Sequence, residues 1–137
     1  MVGSQKHILL VDDENDIREV ATISFETVAG WRVSSASSGS EGLAKAIAER
    51  PDVILLDVMM PGMDGPATFA RLQADHATQE IPVILLTAKT QGADFRQFEE
   101  LGVTGVLTKP FDPMTLPTQV TDILESAEAR DQSSHGP

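Results

Sequence analysis

Five short apolar runs alternate with longer amphipathic stretches along this chain. Most of the runs are apolar at consecutive positions rather than at every second one, a pattern typical of strands that are covered on both faces in a parallel sheet. The alternation therefore predicts a doubly wound α/β sandwich with right-handed crossovers. The predicted strands are His7–Asp12, Trp31–Ala36, Val53–Asp57, Pro82–Leu86 and Val103–Thr108.

The stretches between the runs carry helix start signals. Ser38 and Glu41 have the spacing of a capping box, in which the serine hydroxyl accepts a hydrogen bond from the Glu41 amide. Asp64 is placed to cap the third helix. In the last helix a start with Thr115 as the cap would put Pro117 in the first turn, where proline is tolerated. The other two helices are predicted over residues 14–28 and 92–101.

Composition narrows the classes of protein to consider. At 137 residues the chain is long enough for one domain with an ordinary core, which we place at residues 1–128, followed by a polar tail at 129–137 that we expect to be disordered. No cysteine is present, as suits a reducing cytoplasm, and no apolar run approaches the roughly 20 residues that span a bilayer. The net charge of −11 disfavours direct binding to nucleic acid or to anionic lipid.

Charged and hydroxyl side chains lie after the predicted strands at one edge of the sheet. In doubly wound sheets the ligand sites lie at the carboxyl ends of the strands, which brings together Asp12, Asp13, Asp57, Thr87 and Lys109. Crowded carboxylates repel one another, and a bound cation relieves that repulsion. Because the donors are all oxygens, the expected cation is Mg²⁺. A carboxylate beside Mg²⁺ and a lysine is suited to accepting a phosphoryl group.

Four segments at these strand ends resemble the receiver domain of two-component response regulators: VDDE, LLDVMMPGMDG, ILLTAKT and TKPF. The resemblance runs from about His7 to Leu124. It implies a (βα)5 flavodoxin-like sandwich whose central five-stranded parallel sheet has the strand order 2-1-3-4-5. It also implies a stand-alone domain, since we find no effector region after the last helix.

The resemblance assigns a role to each residue at the edge. Asp57 would be the phosphoacceptor, taking a phosphoryl group from a phosphohistidine of a sensor kinase or of a histidine phosphotransfer protein. Lys109 would pair with the phosphoryl oxygens, and the Thr87 hydroxyl and the Ala88 backbone amide would donate hydrogen bonds to them. The ligands of Mg²⁺ would be Asp12, Asp13, the Asp57 carboxylate and the Met59 backbone carbonyl.

Some positions depart from the family or vary within it. The position three residues before Lys109 is usually aromatic in the family but is Val106 here, so the usual movement of an aromatic ring behind Thr87 cannot occur. Met59 and Lys89 occupy positions that tune phosphoryl lifetime in the family. In the family the bond from Lys109 to the following proline is usually cis.

The function implied is a cytoplasmic phosphorelay domain that catalyses only its own phosphorylation and dephosphorylation. Phosphorylation would switch a protein-interaction surface near the fourth helix, fifth strand and fifth helix, and the downstream target is unidentified. The first alternative is a degenerate receiver that binds partners without phosphorylation, and Val106 favours it. A phosphatase resembling haloacid dehalogenases would need an aspartate where Met59 stands. A flavin binder would need a phosphate loop where VDDEND stands.

Overall fold

The computed structural model describes residues 5–88 and 92–134, with side chains for residues 5–88 and 96–130. Within these residues, five parallel strands form one sheet in the order β2-β1-β3-β4-β5, which confirms the predicted topology. The strands are β1 (His7–Val11), β2 (Arg32–Ala36), β3 (Val53–Asp57), β4 (Val83–Thr87) and β5 (Gly105–Thr108).

Five α-helices connect the strands or come after them: α1 (Asn15–Ile23), α2 (Gly39–Glu49), α3 (Gly65–Ala74), α4 (Gly92–Glu100) and α5 (Leu116–Ser134). The helix predicted over residues 14–28 is α-helical in α1 and continues as a π-helix over Ser24–Val28. This segment ends beside Trp31, whose ring stacks on Phe25 with centroids 5.1 Å apart. Since Trp31 is held there, with its amide bonded to the Phe25 carbonyl, β2 begins one residue later than predicted.

The sheet separates two apolar layers because successive residues of a strand point to opposite faces. Leu9 and Val11 of β1 pack with α2 and α3, whereas Ile8 and Leu10 pack with α1 and α5. All five residues of β1, of β3 and of β4 are buried. The three central strands are therefore fixed from both sides, and the residues at their carboxyl ends are held at defined places on the edge.

Local capping sets where α2, α3 and α5 begin. Ser38 Oγ accepts a hydrogen bond from the Glu41 amide at 3.1 Å, as predicted. Asp64 Oδ1 accepts one from the Ala67 amide at 2.9 Å. Pro117 is the second residue of α5, where its missing N–H leaves no helical bond unmade.

The end of α5 lies beyond the boundary we placed at residue 128. The helix continues to Ser134, so residues 129–134 are helical rather than irregular, consistent with the alanine, arginine and glutamine in this stretch. Residues 135–137 lie outside the described part of the chain, and the domain boundary stays a prediction. Among the described helices, none has the length and apolarity that a bilayer crossing requires.

Candidate functional site

The residues predicted at the sheet edge come after strands that are aligned in register. Val11 pairs with Leu56, Asp57 with Leu86, and Thr87 with Thr108. The strands β1, β3, β4 and β5 therefore end at nearly the same height in the sheet. This alignment brings the residues after each strand together at one edge of the sheet, as the sequence predicted.

Three aspartates form a cluster at this edge. One carboxylate oxygen from each of Asp12, Asp13 and Asp57 lies within 4.8 Å of the others. Asp12 and Asp57 are each 3% exposed, whereas Asp13 is exposed to solvent. Two of the three charges are thus held away from water and close to each other, an arrangement that is unfavourable without a compensating cation.

Lys109 supplies part of that compensation. Its Nζ lies 3.0 Å from Asp12 Oδ2, 3.2 Å from Asp57 Oδ1 and 3.1 Å from Glu14 Oε1. Its backbone amide donates to the Thr87 carbonyl at 2.8 Å, which ties the residue to the end of β4. The bond from Lys109 to Pro110 is cis, in agreement with the family pattern.

The pKa values of these groups reflect burial and charge. Burial, with a further contribution from the negative charge of Asp12, raises the pKa of Asp57 to about 6, although Lys109 and the Met59 amide oppose the rise. Burial alone would lower the pKa of Lys109. The negative charges of Asp12, Glu14 and Asp57 beside its Nζ outweigh burial and raise that pKa above its ordinary value. The lysine is therefore a permanent cation at this edge.

Hydrogen bonds hold the carbonyl and one carboxylate oxygen of Asp12, but the other carboxylate oxygen accepts none within the described residues. Its Oδ1 accepts a hydrogen bond from the Glu14 amide at 2.8 Å, and its carbonyl accepts one from Arg18 at 2.6 Å. Its Oδ2 is buried and accepts no hydrogen bond within the described residues, since the 3.0 Å contact with Lys109 is an ion pair without hydrogen-bond geometry. A buried carboxylate oxygen that accepts no hydrogen bond and lies next to two further carboxylates is suited to binding a hard cation.

The remaining predicted residues surround Asp57. The Met59 amide lies 3.4 Å from Asp57 Oδ1, and the Met59 side chain is 65% exposed. Thr87 is fully buried at the end of β4, and Ala88 after it is exposed. Lys89 lies outside the described residues.

Gly65 allows α3 to begin close to the back of Asp57. A Cβ at Gly65 would lie 2.6 Å from the Asp57 carbonyl oxygen and 2.8 Å from Val58 Cα. The Gly65 amide also donates to the Val58 carbonyl at 3.0 Å. Gly65 therefore sets how closely α3 packs behind the site.

Sequence reasoning missed two residues that contact this site. It gave Glu14 no role at the site, yet its carboxylate reaches Lys109, 95 positions along the chain. Arg18 donates to the Asp12 carbonyl. Glu14 directly follows the two aspartates in the sequence, and this position could have indicated that it lies at the site. No feature of the sequence pointed to Arg18.

Comparison with known proteins agrees with the fold. The model of the response regulator receiver domain family matches residues 8–121. The chain belongs to this family: it is a receiver domain of two-component systems, in which phosphorylation and Mg²⁺ binding are typical.

Individual relatives support the same conclusion. The chain is 40% identical over 124 residues to the phosphate regulon transcriptional regulatory protein PhoB of Pseudomonas aeruginosa, covering 90% of this chain and 53% of that protein. It is 42% identical over 117 residues to the response regulator PleD of Caulobacter vibrioides, covering 85% and 25%. The chemotaxis protein CheY4 of Vibrio cholerae has a similar structure, with a TM-score of 0.81, 33% identity and coverage of 88% and 99%. The chain spans about half the length of the first curated relatives it matches.

Proposed function

We propose that Asp57 accepts a phosphoryl group from a phosphohistidine, in a reaction that requires Mg²⁺. The observation that carries this proposal is the contact of one half-buried lysine with two buried carboxylates, at 3.0 Å from Asp12 and 3.2 Å from Asp57. A lysine so placed can neutralise charge on a phosphoryl group attached to Asp57. The donor would be a sensor histidine kinase or a histidine phosphotransfer protein.

In the proposed reaction an ionised Asp57 oxygen attacks the phosphorus atom of the donor. A P–O bond forms, the P–N bond to the histidine breaks, and the imidazole nitrogen leaves with the bonding electron pair. The product is an acyl phosphate, a mixed anhydride of Asp57. Burial raises the pKa of Asp57 to about 6 in the metal-free site, and a bound cation would lower it, so the attacking carboxylate is ionised at neutral pH.

Asp12, Asp13, Asp57 and the Met59 backbone carbonyl would hold the cation. When bound, Mg²⁺ supplies positive charge that offsets the charge on the transferred oxygens. The buried, unsatisfied Asp12 Oδ2 and the cluster of carboxylates within 4.8 Å support this assignment. The absence of nitrogen or sulfur donors in that cluster favours Mg²⁺ over softer metals.

Thr87 and Ala88 would complete the contacts with the phosphoryl group. The Thr87 hydroxyl and the Ala88 amide lie at the end of β4, next to β3 and its terminal Asp57 in the register. We infer that movement of Thr87 toward the phosphoryl group changes the surface formed by α4, β5 and α5, where an unidentified protein target binds. The domain would act in the cytoplasm, would catalyse only its own phosphorylation and dephosphorylation, and would not itself bind nucleic acid.

The alternative of a phosphorylation-independent interaction module rests on Val106 alone. Val106 is half-buried in β5 and pairs with Leu85 rather than with a residue of the charged edge. Its replacement of an aromatic residue therefore bears on how a signal leaves the site and not on the chemistry at Asp57. The intact set of Asp12, Asp13, Asp57, Thr87 and Lys109 favours phosphorylation.

Intact-mass measurement after incubation with acetyl phosphate tests the proposal. We expect one added phosphoryl group in the presence of Mg²⁺, none in EDTA, and none in Asp57→Asn with or without the cation. Asp122→Asn is the matched control, because it makes the same substitution at an exposed aspartate of α5 that has no ion pair or hydrogen bond among the described residues. No adduct on the wild-type protein, or an adduct that persists in Asp57→Asn, would refute the assignment.

A further inference from the structure

Three carboxylates share the single ammonium group of Lys109, and the third belongs to Glu14. The contact with Glu14 Oε1, at 3.1 Å, has the geometry of a hydrogen bond. The shorter contact with Asp12 Oδ2 does not, and that buried oxygen is left without a hydrogen bond in the described part of the chain. The Lys109 ammonium group is therefore hydrogen-bonded to an exposed carboxylate while it forms ion pairs with two buried ones.

Glu14 has no other structural task that explains this contact. It stands at the N-cap position of α1, yet its side chain makes no capping hydrogen bond. The Glu14 side chain is 61% exposed, so packing does not hold it in place. Its backbone amide donates to Asp12 Oδ1 at 2.8 Å, which keeps Glu14 next to the site.

We propose that Glu14 is a positioning residue that retains Lys109 in the unphosphorylated protein and must release it when a phosphoryl group occupies Asp57. This inference rests on the proposed function, because it assumes that Lys109 contacts the phosphoryl oxygens. An ammonium group has three N–H donors, and all three carboxylate neighbours lie within 3.2 Å of it. A phosphoryl group on Asp57 would have to share this one cation with the carboxylates that already contact it. The exposed, unpacked Glu14 is the neighbour that can move.

The net charge of this edge also opposes binding of an anionic phosphoryl group, as the contact between Glu14 and Lys109 does. Asp12, Asp13, Glu14 and Asp57 contribute −4 and Lys109 contributes +1, so the edge carries −3 before any cation binds. An anionic phosphoryl group or its analogue is repelled by this excess. Neutralising Glu14 reduces the repulsion and frees one donor of Lys109. Because exposed ion pairs contribute little, we expect only about a two- to five-fold effect on binding of the analogue.

The probe is beryllofluoride, an analogue of the phosphoryl group, titrated at saturating Mg²⁺ into wild type, Glu14→Gln and Glu19→Gln. Glu19 is an exposed carboxylate on the same helix with no ion pair or hydrogen bond among the described residues, so its substitution removes an equal charge without touching Lys109. We expect Glu14→Gln to bind the analogue about two- to five-fold more tightly than Glu19→Gln. Mg²⁺ titration of the same variants should show no matching gain, since Glu14 competes for Lys109 and not for the cation.

A second pair of variants tests whether the effect passes through Lys109. In a Lys109→Ala background, the gain of Glu14→Gln over Glu19→Gln should shrink, because only the reduced charge repulsion is then left. The inference is overturned if Glu14→Gln binds the analogue no more tightly than Glu19→Gln, or if its gain over Glu19→Gln is undiminished without Lys109. If wild type and Glu19→Gln both fail to bind beryllofluoride with Mg²⁺ present, the proposed function itself fails and this inference fails with it.

Discussion

Replacing Asp57 by asparagine should stabilise the protein in the absence of Mg²⁺. Burial and the nearby Asp12 raise the pKa of Asp57 from 3.8 to about 6, which is a rise of about two units. At about 1.36 kcal/mol per unit, the ionised form disfavours folding by about 3 kcal/mol. Asparagine has the same shape and no charge, and the net shift already includes the opposing 3.2 Å ion pair with Lys109. Because solvent screens part of this penalty, we expect a net gain of about 1–2 kcal/mol at neutral pH.

The sign of the pH dependence is set by the direction of the pKa shift. The folded pKa of Asp57 lies above its unfolded value, so between about pH 4 and pH 6 the folded protein binds more protons than the unfolded chain. Protonation of Asp57 therefore removes the penalty as the pH falls. The advantage of Asp57→Asn over wild type should be full above about pH 6 and should disappear below about pH 4.

Urea denaturation in EDTA, followed by tryptophan fluorescence, measures this difference. Trp31 is the only tryptophan of the chain and stacks on the buried Phe25, so its emission should report unfolding of the core. A gain of about 1–2 kcal/mol shifts the urea midpoint by roughly 1 M. Asp122→Asn again serves as the control for an exposed aspartate. The reasoning is refuted if Asp57→Asn is less stable than wild type at pH 7.5, or if its advantage does not shrink toward pH 4.

Three further substitutions test other parts of the site. Asp13→Asn should abolish Mg²⁺-dependent phosphorylation, seen by intact mass, and should raise apo stability in EDTA by on the order of 1 kcal/mol, so a lower melting temperature would count against charge crowding. Gly65→Ala should destabilise by about 1–3 kcal/mol in urea, since its Cβ would lie 2.6 Å from the Asp57 carbonyl oxygen. Val106→Tyr should change the hydrogen-exchange response of α4 and β5 to beryllofluoride, because a groove of about 300 Å³ beside Val106 can take the ring. Identical responses of this variant and wild type would contradict a role for the missing aromatic residue.

The strands were predictable from their runs of consecutive apolar residues, and the strand order 2-1-3-4-5 was predictable from the resemblance to receiver domains. Runs such as VILLD and VILLT are apolar at consecutive positions, a pattern typical of strands that are covered on both faces. Parallel strands with helical crossovers then place the ends of β1, β3, β4 and β5 at one edge. The grouping of Asp12, Asp57 and Lys109 resulted from that topology and needed no knowledge of side-chain positions.

Details that depend on contacts between distant segments were not predictable. The π-helical segment Ser24–Val28 packs on α5. The Ser24 hydroxyl also donates a hydrogen bond to the Pro113 carbonyl, 89 positions away. The ion pair of Glu14 with Lys109 depends on two side chains that only the folded sheet brings together. Local sequence patterns contain no information about such pairs, because the rotamer of an exposed side chain is decided by its neighbours in space.

The backbone offers a route by which Asp57 can influence β5 without an aromatic residue at position 106. The Thr87 carbonyl accepts the Lys109 amide at 2.8 Å, and Thr87 pairs with Thr108 in the sheet. Movement of Thr87 toward a phosphoryl group would therefore act on the end of β5 through these backbone contacts. Lys109 would be drawn in the same direction by the phosphoryl oxygens. Since β5 is an edge strand whose residues are all half-buried, it is less firmly packed than β3 or β4 and can yield to this movement. We therefore expect the change at the surface of α4, β5 and α5 to begin at the end of β5 that carries Lys109.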